Sequence, residues 1–267
     1  MKYLLFACPN CKQPLTRKDG SLVCENKHCF DIAKEGYINL VRANYNSNAG
    51  DNDEMLKARD LFLSGGHYDN LAKKLADIIL KYNKCSEILD AGCGIGYYIS
   101  KIKEDIKCDN IYGVDIAKKA VKIASKKNTD CSFAVASVFE MPFQDKTFST
   151  ILNVFSPFAF EEYARVLKDD GILLSVYPGP NHLIELKKAI YKEDTILNDK
   201  NVSSDLFKCK EKINVSGLMT LNNEEILALI KMTPYFYTTP KEKLDSLNSI
   251  QELAIQYDFI IDVLIRD

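Results

Sequence analysis

The chain has 267 residues, 46% of them apolar and 27% charged, with a formal net charge of −2. That supplies a sizeable core; every apolar run stops short of the ~20 residues a membrane helix requires, and the balanced charge excludes a wholly basic nucleic-acid binder. Nine cysteines, an odd number, do not read as a disulfide framework in a chain this large and fit a reducing cytoplasm, and MKYLLFACPNC meets cysteines before a signal-peptide core can form.

Cys8 and Cys11 make one C-x-x-C pair, Cys24 follows after twelve residues, and His28 and Cys29 come next. Two knuckles at this spacing offer paired ligands to a tetrahedral ion, and zinc suits three thiolates with an imidazole. The ion would hold together a segment too short to bury its own core. His28 and Cys29 are both ordinary structural ligands, so spacing leaves the fourth ligand open between them. A redox C-x-x-C would open a helix in a βαβ setting, and none surrounds Cys8. Residues 1–50 hold seven Lys or Arg against four Asp or Glu, a local excess of three. Lys12, Arg17, Lys18 and Lys27 flank the knuckles and could meet phosphates; Phe30 or Tyr37 could stack on a base or pack on a knuckle. Cys85, Cys93, Cys108, Cys131 and Cys209 lack ligand spacing and are expected as buried thiols.

A polar stretch, NYNSNAGDNDE, leads to a short helix expected over 54–63. Asp69 is placed to cap a helix to Tyr82, with Leu71, Leu75, Ile78, Ile79 and Tyr82 on one face. Strands over 88–90, 111–115, 132–136, 148–155 and 172–177 then alternate with helices over 97–106, 117–127 and the segment EEYARVLKDDG, closed by Gly171. Alternation of this kind predicts an α/β fold, a Rossmann-like parallel sheet with helices on both faces. The tail differs: 209–220 and 251–266 read as strands separated by two short helices, an antiparallel finish.

The most informative stretch is ILDAGCGIGYY, where Asp90 ends an apolar run and Gly92, Gly94 and Gly96 follow at alternate positions. Glycine there permits a positive-φ turn and close approach of backbone to a ligand. Nineteen residues beyond Gly96, Asp115 closes IYGVD, where a carboxylate can accept hydrogen bonds from a ribose. The dinucleotide fingerprint is G-x-G-x-x-G. Here the third glycine comes one residue early and Asp90 precedes the set, a form that resembles motif I of class I methyltransferases, which bind S-adenosylmethionine.

Four blocks extend the likeness over nearly the whole chain: the knuckles running into FDIAKEGYINL, ARDLFLSGGHYDNL, LDAGCGIGYY, and PGPNHLIELK with KMTPY beyond it. Together they resemble the large-subunit rRNA guanine-N1 methyltransferases of the RlmA type. The resemblance implies a seven-stranded class I sheet with a small N-terminal zinc ribbon. With the polar stretch read as a linker, the chain divides into a zinc-binding RNA-recognition module (1–40), a linker (41–66) and a methyltransferase domain (67–267). The resemblance puts the structural Zn2+ on Cys8, Cys11, Cys24 and His28, and the cofactor contacts on Tyr68, Gly94 with Ile95, Asp115 and His182. Asp90 and Gly92 of the glycine turn join that set. It further implies a hairpin loop of 23S rRNA as substrate and a homodimer paired through the zinc ends. Two departures matter. Ile95 stands where the family can carry an acid, which leaves a backbone contact. Ala136 and Ser137 replace an acid common at the adenine-binding strand end, which leaves backbone groups or the Ser137 hydroxyl.

Methyl transfer is an in-line displacement for which alignment matters most, worth ~7–11 kcal/mol when reactants are held at attack distance. Guanine N1 also carries a proton, and a carboxylate, a histidine or water could take it. Candidates are His182, at a strand end, and Asn153, where class I enzymes often contact substrate; each also has a plain structural reading. The guanine must be unpaired or extruded, because N1 lies on the pairing edge. Two other functions compete: a class I methyltransferase for a small molecule such as a quinone precursor, with a purely structural zinc module, and a nucleic-acid-binding protein on a decayed fold. Intact Asp90, Gly92, Gly94 and Asp115 argue against decay, and the AKEGY and GHY blocks favour rRNA. If ribbon and domain are separate modules, Cys8→Ser should release zinc and weaken RNA binding while cofactor binding persists.

Overall fold

The computed structural model describes residues 2–42, 52–190 and 204–267. Most of the polar stretch read as a linker, from 43 to 51, lies outside them. The knuckles carry a three-stranded antiparallel sheet, β1 (Thr16–Lys18), β2 (Ser21–Val23) and β3 (Cys29–Asp31), in that order. Next comes β4 (Tyr37–Asn39), then α1 (Asp53–Ser64), capped by the Asn52 side chain accepting from Met55 N–H. α2 (Asp69–Lys81) buries Leu71, Leu75, Ile78 and Ile79 on one stripe, as its periodicity predicts. Asp69 does not cap it; its carboxylate accepts instead from the Tyr97 hydroxyl at 2.6 Å and Lys101 at 2.9 Å.

The central unit alternates β5 (Ile88–Ala91), α3 (Tyr97–Asp105), β6 (Ile111–Asp115), α4 (Lys118–Lys127), β7 (Ser132–Val135), β8 (Phe148–Val154), α5 (Phe160–Val166) and β9 (Leu167–Pro178). After α6 (Ile184–Ile190) come β10 (Phe207–Asn222), the short helices α7 (Asn223–Lys231), α8 (Tyr235–Thr238) and α9 (Lys241–Ser246), and β11 (Glu252–Arg266). The sheet order is β10-β11-β9-β8-β5-β6-β7-β4; β10 and β11 are antiparallel and the rest parallel. β5, β7 and β8 are buried at every residue, as strands covered on both faces must be. The strand order reverses at β5, whose neighbours β6 and β8 lead in opposite directions. A crevice therefore opens at its carboxyl end, where ligands of such sheets bind.

Three further expectations change. The seven strands are present, and an eighth is added: β4, counted with the ribbon by sequence, pairs in parallel with β7. Three residues carry no periodicity to announce this, and the partner strand lies far along the chain. The helix expected through Gly171 ends at Val166, because Leu167 is wholly buried against the sheet and the following acids are drawn outward by Lys84 and Lys146. Of the cysteines expected inside, Cys93 and Cys131 are buried and Cys85 and Cys108 half-buried, whereas Cys209 is exposed on edge strand β10.

The N-terminal segment is fastened to the sheet rather than tethered to it. Tyr3 N–H donates to Ser132 Oγ at 3.0 Å, Leu5 N–H to the Tyr112 hydroxyl at 3.3 Å, and Ala7 N–H to Pro142 O at 2.7 Å. The Phe6 ring stacks on Phe143 at 5.2 Å and meets Tyr112 edge-on at 5.3 Å.

Candidate metal centre and active site

In the first knuckle Lys12 takes a positive φ of 62°, which turns its N–H back to Cys8 O at 2.8 Å. The second repeats the device: Lys27, at φ 65°, donates to Cys24 O at 2.9 Å. These turns aim Cys8, Cys11, Cys24 and His28 at one point, their ligand atoms all within 4.8 Å of one another. His28 Nδ1 lies 3.5 Å from Cys8 Sγ and 3.4 Å from Cys24 Sγ, and Cys11 Sγ lies 3.6 Å from Cys24 Sγ. Zinc bonds of ~2.3 Å to sulfur and ~2.0 Å to nitrogen give tetrahedral edges of about 3.5–3.8 Å, so the cluster fits the ion. Cys29 is exposed in β3, outside the cluster, so the geometry favours His28. The Gln13 backbone pulls the Cys11 thiol down to about 6, while burial pushes the Cys8 thiol up. Metal binding releases whatever protons remain. Of the two ring candidates for base stacking, Tyr37 is buried in the large sheet and Phe30 is half-buried against the ribbon core.

At the carboxyl end of β5 lies a cleft of about 330 Å³, walled by Gly92, Gly94, Asp115, Ser137, Phe139 and Phe155. A smaller cavity of about 60 Å³ adjoins it, sharing Arg59, Gly92, Gly94, Val154 and Phe155 and reaching Tyr68 and Ile95. Gly92 (φ 87°) permits close packing, since a Cβ would fall 2.4 Å from Ser156 Cβ. Gly94 (φ 50°) is different: a Cβ there would meet nothing within 4 Å and would project into open space, which leaves the backbone bare toward a ligand.

Asp115 ties this turn to the tip of β6. Its Oδ2 accepts from Gly94 N–H at 2.9 Å and its Oδ1 from Ala117 N–H at 2.8 Å. A carboxylate oxygen can accept more than one donor, so ribose hydroxyls can be added. Asp90, beneath the turn, is 1% exposed and its Oδ2 has no hydrogen-bond partner. Burial, then the charge of Asp115, pushes it up to about 8. Ser137 Oγ accepts from Phe139 N–H at 3.2 Å while lining the cleft. These features fit S-adenosylmethionine: bare backbone, a ribose-height carboxylate and a neutral polar wall.

The other expected residues separate. Ile95 is buried in the core and bounds the small cavity, which fits a contact through its backbone. Tyr68 bounds that cavity too, its ring edge-on to Phe259 at 4.8 Å. His182 packs on Phe259 at 4.7 Å and lines neither cavity. Its Nδ1 accepts from Asp258 N–H at 3.3 Å, and burial pulls the imidazole down to about 3, so the ring is neutral and a weak base. Asn153 is wholly buried, its Nδ2 within 2.7–3.3 Å of Ser156, Pro157 and Tyr163 oxygens. It pins the loop after β8 and does not line the cleft.

Sequence reasoning passed over Arg59 and Phe155, both of which line both cavities. Arg59 stands in the ARDLFL block, which was a usable signal; its Nη2 donates to Met232 O at 3.4 Å. Phe155 had no comparable signal.

Residues 6–46 match a zinc-ribbon family described as "RlmA, N-terminal", and residues 88–171 one described as "Methyltransferase domain". YxjB of Bacillus subtilis, provisionally named a 23S rRNA (guanine-N(1)-)-methyltransferase, is 30% identical over 282 residues, covering 98% of this chain and 97% of that protein. The 23S rRNA (guanine(748)-N(1))-methyltransferase of Streptomyces fradiae is 35% identical over 187 residues, covering 68% and 66%. Demethylmenaquinone methyltransferase of Thermotoga maritima is 30% identical over 107 residues, covering only 40% and 46%. The likeness to a quinone enzyme thus spans less than half of either chain, while that to YxjB runs nearly end to end.

Proposed function

The chain belongs to the 23S rRNA (guanine-N1)-methyltransferases of the RlmA type, and from that premise we propose how its residues serve the reaction. S-adenosylmethionine supplies an electrophilic methyl group on a sulfonium, and N1 of a guanine in 23S rRNA accepts it. Gly94 offers the donor its bare backbone, Gly92, packed against Ser156, lines the same wall, Asp115 fixes the ribose, and Ser137 flanks the adenine side. Tyr68 and the Ile95 backbone close the inner end. Cys8, Cys11, Cys24 and His28 hold zinc, which fixes the shape of the ribbon.

As the N1–methyl bond forms, the methyl–sulfur bond breaks, the sulfur leaves as the neutral thioether of S-adenosylhomocysteine, and N1 gives up its proton. Among the described residues lining the two cavities, Asp115 is the one carboxylate, and in this reading its remaining lone pairs go to the ribose. We assign the proton to water at the exposed mouth, where Phe139 and Phe155 meet solvent. The target guanine is unpaired or extruded, because a paired guanine hides N1, and the resemblance implies a hairpin loop as its source. Arg17, Lys18 and Lys27, exposed on the ribbon, are available to the RNA phosphates. Pairing of two chains through their ribbons is implied by the resemblance; edge strand β1, exposed at all three residues, is available to it, and sedimentation equilibrium tests it. The reaction belongs to ribosome maturation in the cytoplasm, and among the described residues no helix is long and apolar enough to cross a membrane.

The near end-to-end likeness to YxjB, ribbon included, carries this reading. The test incubates zinc-loaded protein and labelled S-adenosylmethionine with unmodified 23S rRNA and with a small-molecule extract. Label in one guanine, located by mass mapping, is expected. Label confined to the extract would install the small-molecule alternative.

A further inference from the structure

Phe155 directly follows β8 at the mouth of the cleft and adopts φ 54°, the left-handed region that a bulky side chain rarely enters. Its surroundings enforce that conformation. Phe155 N–H donates to Val176 O at 3.1 Å, Ser156 Oγ donates to Ala91 O at 2.6 Å, and the Tyr163 hydroxyl donates to Pro157 O at 2.8 Å. The buried Asn153 amide holds the same loop from below. All this fixes a ring that remains 41% exposed. One side leans on Phe259, centroids 5.3 Å apart, and Tyr68, 6.5 Å apart; the remainder faces the cleft that Gly94 and Asp115 wall.

Neither strain nor exposure of an aromatic ring favours stability, and glycine would suit this φ better. A strained residue held by its neighbours at a ligand cleft points to a use for its side chain. The ring offers a flat apolar face to a flat partner. Adenine is accounted for on the Asp115 and Ser137 side of the cleft, which leaves the acceptor. Resting on the reading above, we propose that Phe155 is the platform on which the extruded target guanine stacks, orienting N1 toward the methyl group.

Phe155→Leu keeps apolar bulk and removes the π face; Phe155→Tyr keeps the face. The probes are an unmodified 23S rRNA fragment for methylation kinetics and S-adenosylmethionine alone for calorimetry. Losing one base–aromatic stack should lower kcat/KM for RNA about ten- to a hundredfold in Phe155→Leu, with cofactor affinity unchanged and Phe155→Tyr near wild type. Phe155→Leu should keep a melting temperature close to wild type by scanning calorimetry, which separates function from folding. Unaltered kcat/KM in Phe155→Leu overturns the proposal, and so does a matching loss of cofactor affinity, which would give the ring to the sulfonium. A wild-type chain that methylates no guanine defeats the functional reading itself, and this one with it.

Discussion

Asp90 carries a proton at neutral pH because burial and Asp115 lift it to about 8, against an unfolded value of ~3.9. Between those values the native chain holds a proton that the unfolded chain has released, so stability falls as pH rises through the window, by at most ~1.4 kcal/mol per unit. Asp90→Asn should flatten that slope between pH 5 and 8 and stabilise the cofactor-free chain at pH 7 by a few kcal/mol, measured by urea unfolding. An unchanged slope would clear the carboxyl of the effect. Asp115→Ala acts on the ligand instead: losing charged hydrogen bonds should weaken S-adenosylmethionine binding by ~1–3 kcal/mol, read by calorimetry. Unchanged affinity would move the ribose elsewhere. These acids were legible in the sequence because strand-end spacing around a glycine turn encodes their position. Phe155 was not, since a positive φ in a non-glycine residue leaves no mark on composition. Nor did sequence reveal that His182 and Tyr68 both pack on Phe259, because depth behind a strand end depends on tertiary packing.

The loop from 137 to 144 joins the two centres. Its first residues, Ser137 to Phe139, wall the cleft, and its remainder grips the first knuckle. Gln144 Nε2 donates to Lys12 O, and Lys12 and Arg42 both pair with Glu140, at 3.4 and 2.7 Å. Such exposed ion pairs contribute at most ~1 kcal/mol each; the Phe6–Phe143 stack and the Ala7–Pro142 backbone bond matter more. These contacts argue against the expectation that cofactor binding survives loss of zinc. Cys8→Ser should lose the metal and weaken S-adenosylmethionine binding several-fold as well as RNA binding, with calorimetry on both ligands as the check. Intact cofactor affinity in that variant would restore the picture of separable modules. The sequence marked β6 to the residue because its apolar run ends in Asp115. It overran α5, where helical amphipathicity continues past Val166 but the chain must return to the sheet.

Ribbon and sheet share one apolar cluster: Tyr3, Phe6, Leu15, Leu22 and Ile38 pack with Leu89, Tyr112, Phe143 and Phe148. β4 also covers what would otherwise be the open edge of β7, a place where unpaired strands invite association. A unit built this way is expected to lack a boundary at which the ribbon melts alone. Zinc binds the folded ribbon, so mass action should raise the stability of the whole chain rather than of its first forty residues. Scanning calorimetry of the zinc-loaded protein should then give one transition, and a chelator should move that same transition down in temperature. Deleting residues 2–42 should yield an aggregating product, since Tyr112 and Phe143 lose their cover and the β7 edge opens. A chelator-sensitive early transition ahead of an unmoved main one, or a monomeric truncated domain that binds cofactor at full strength, would show that the shared cluster contributes little. The ribbon would then be a tethered head, free to move against the cleft as it presents RNA.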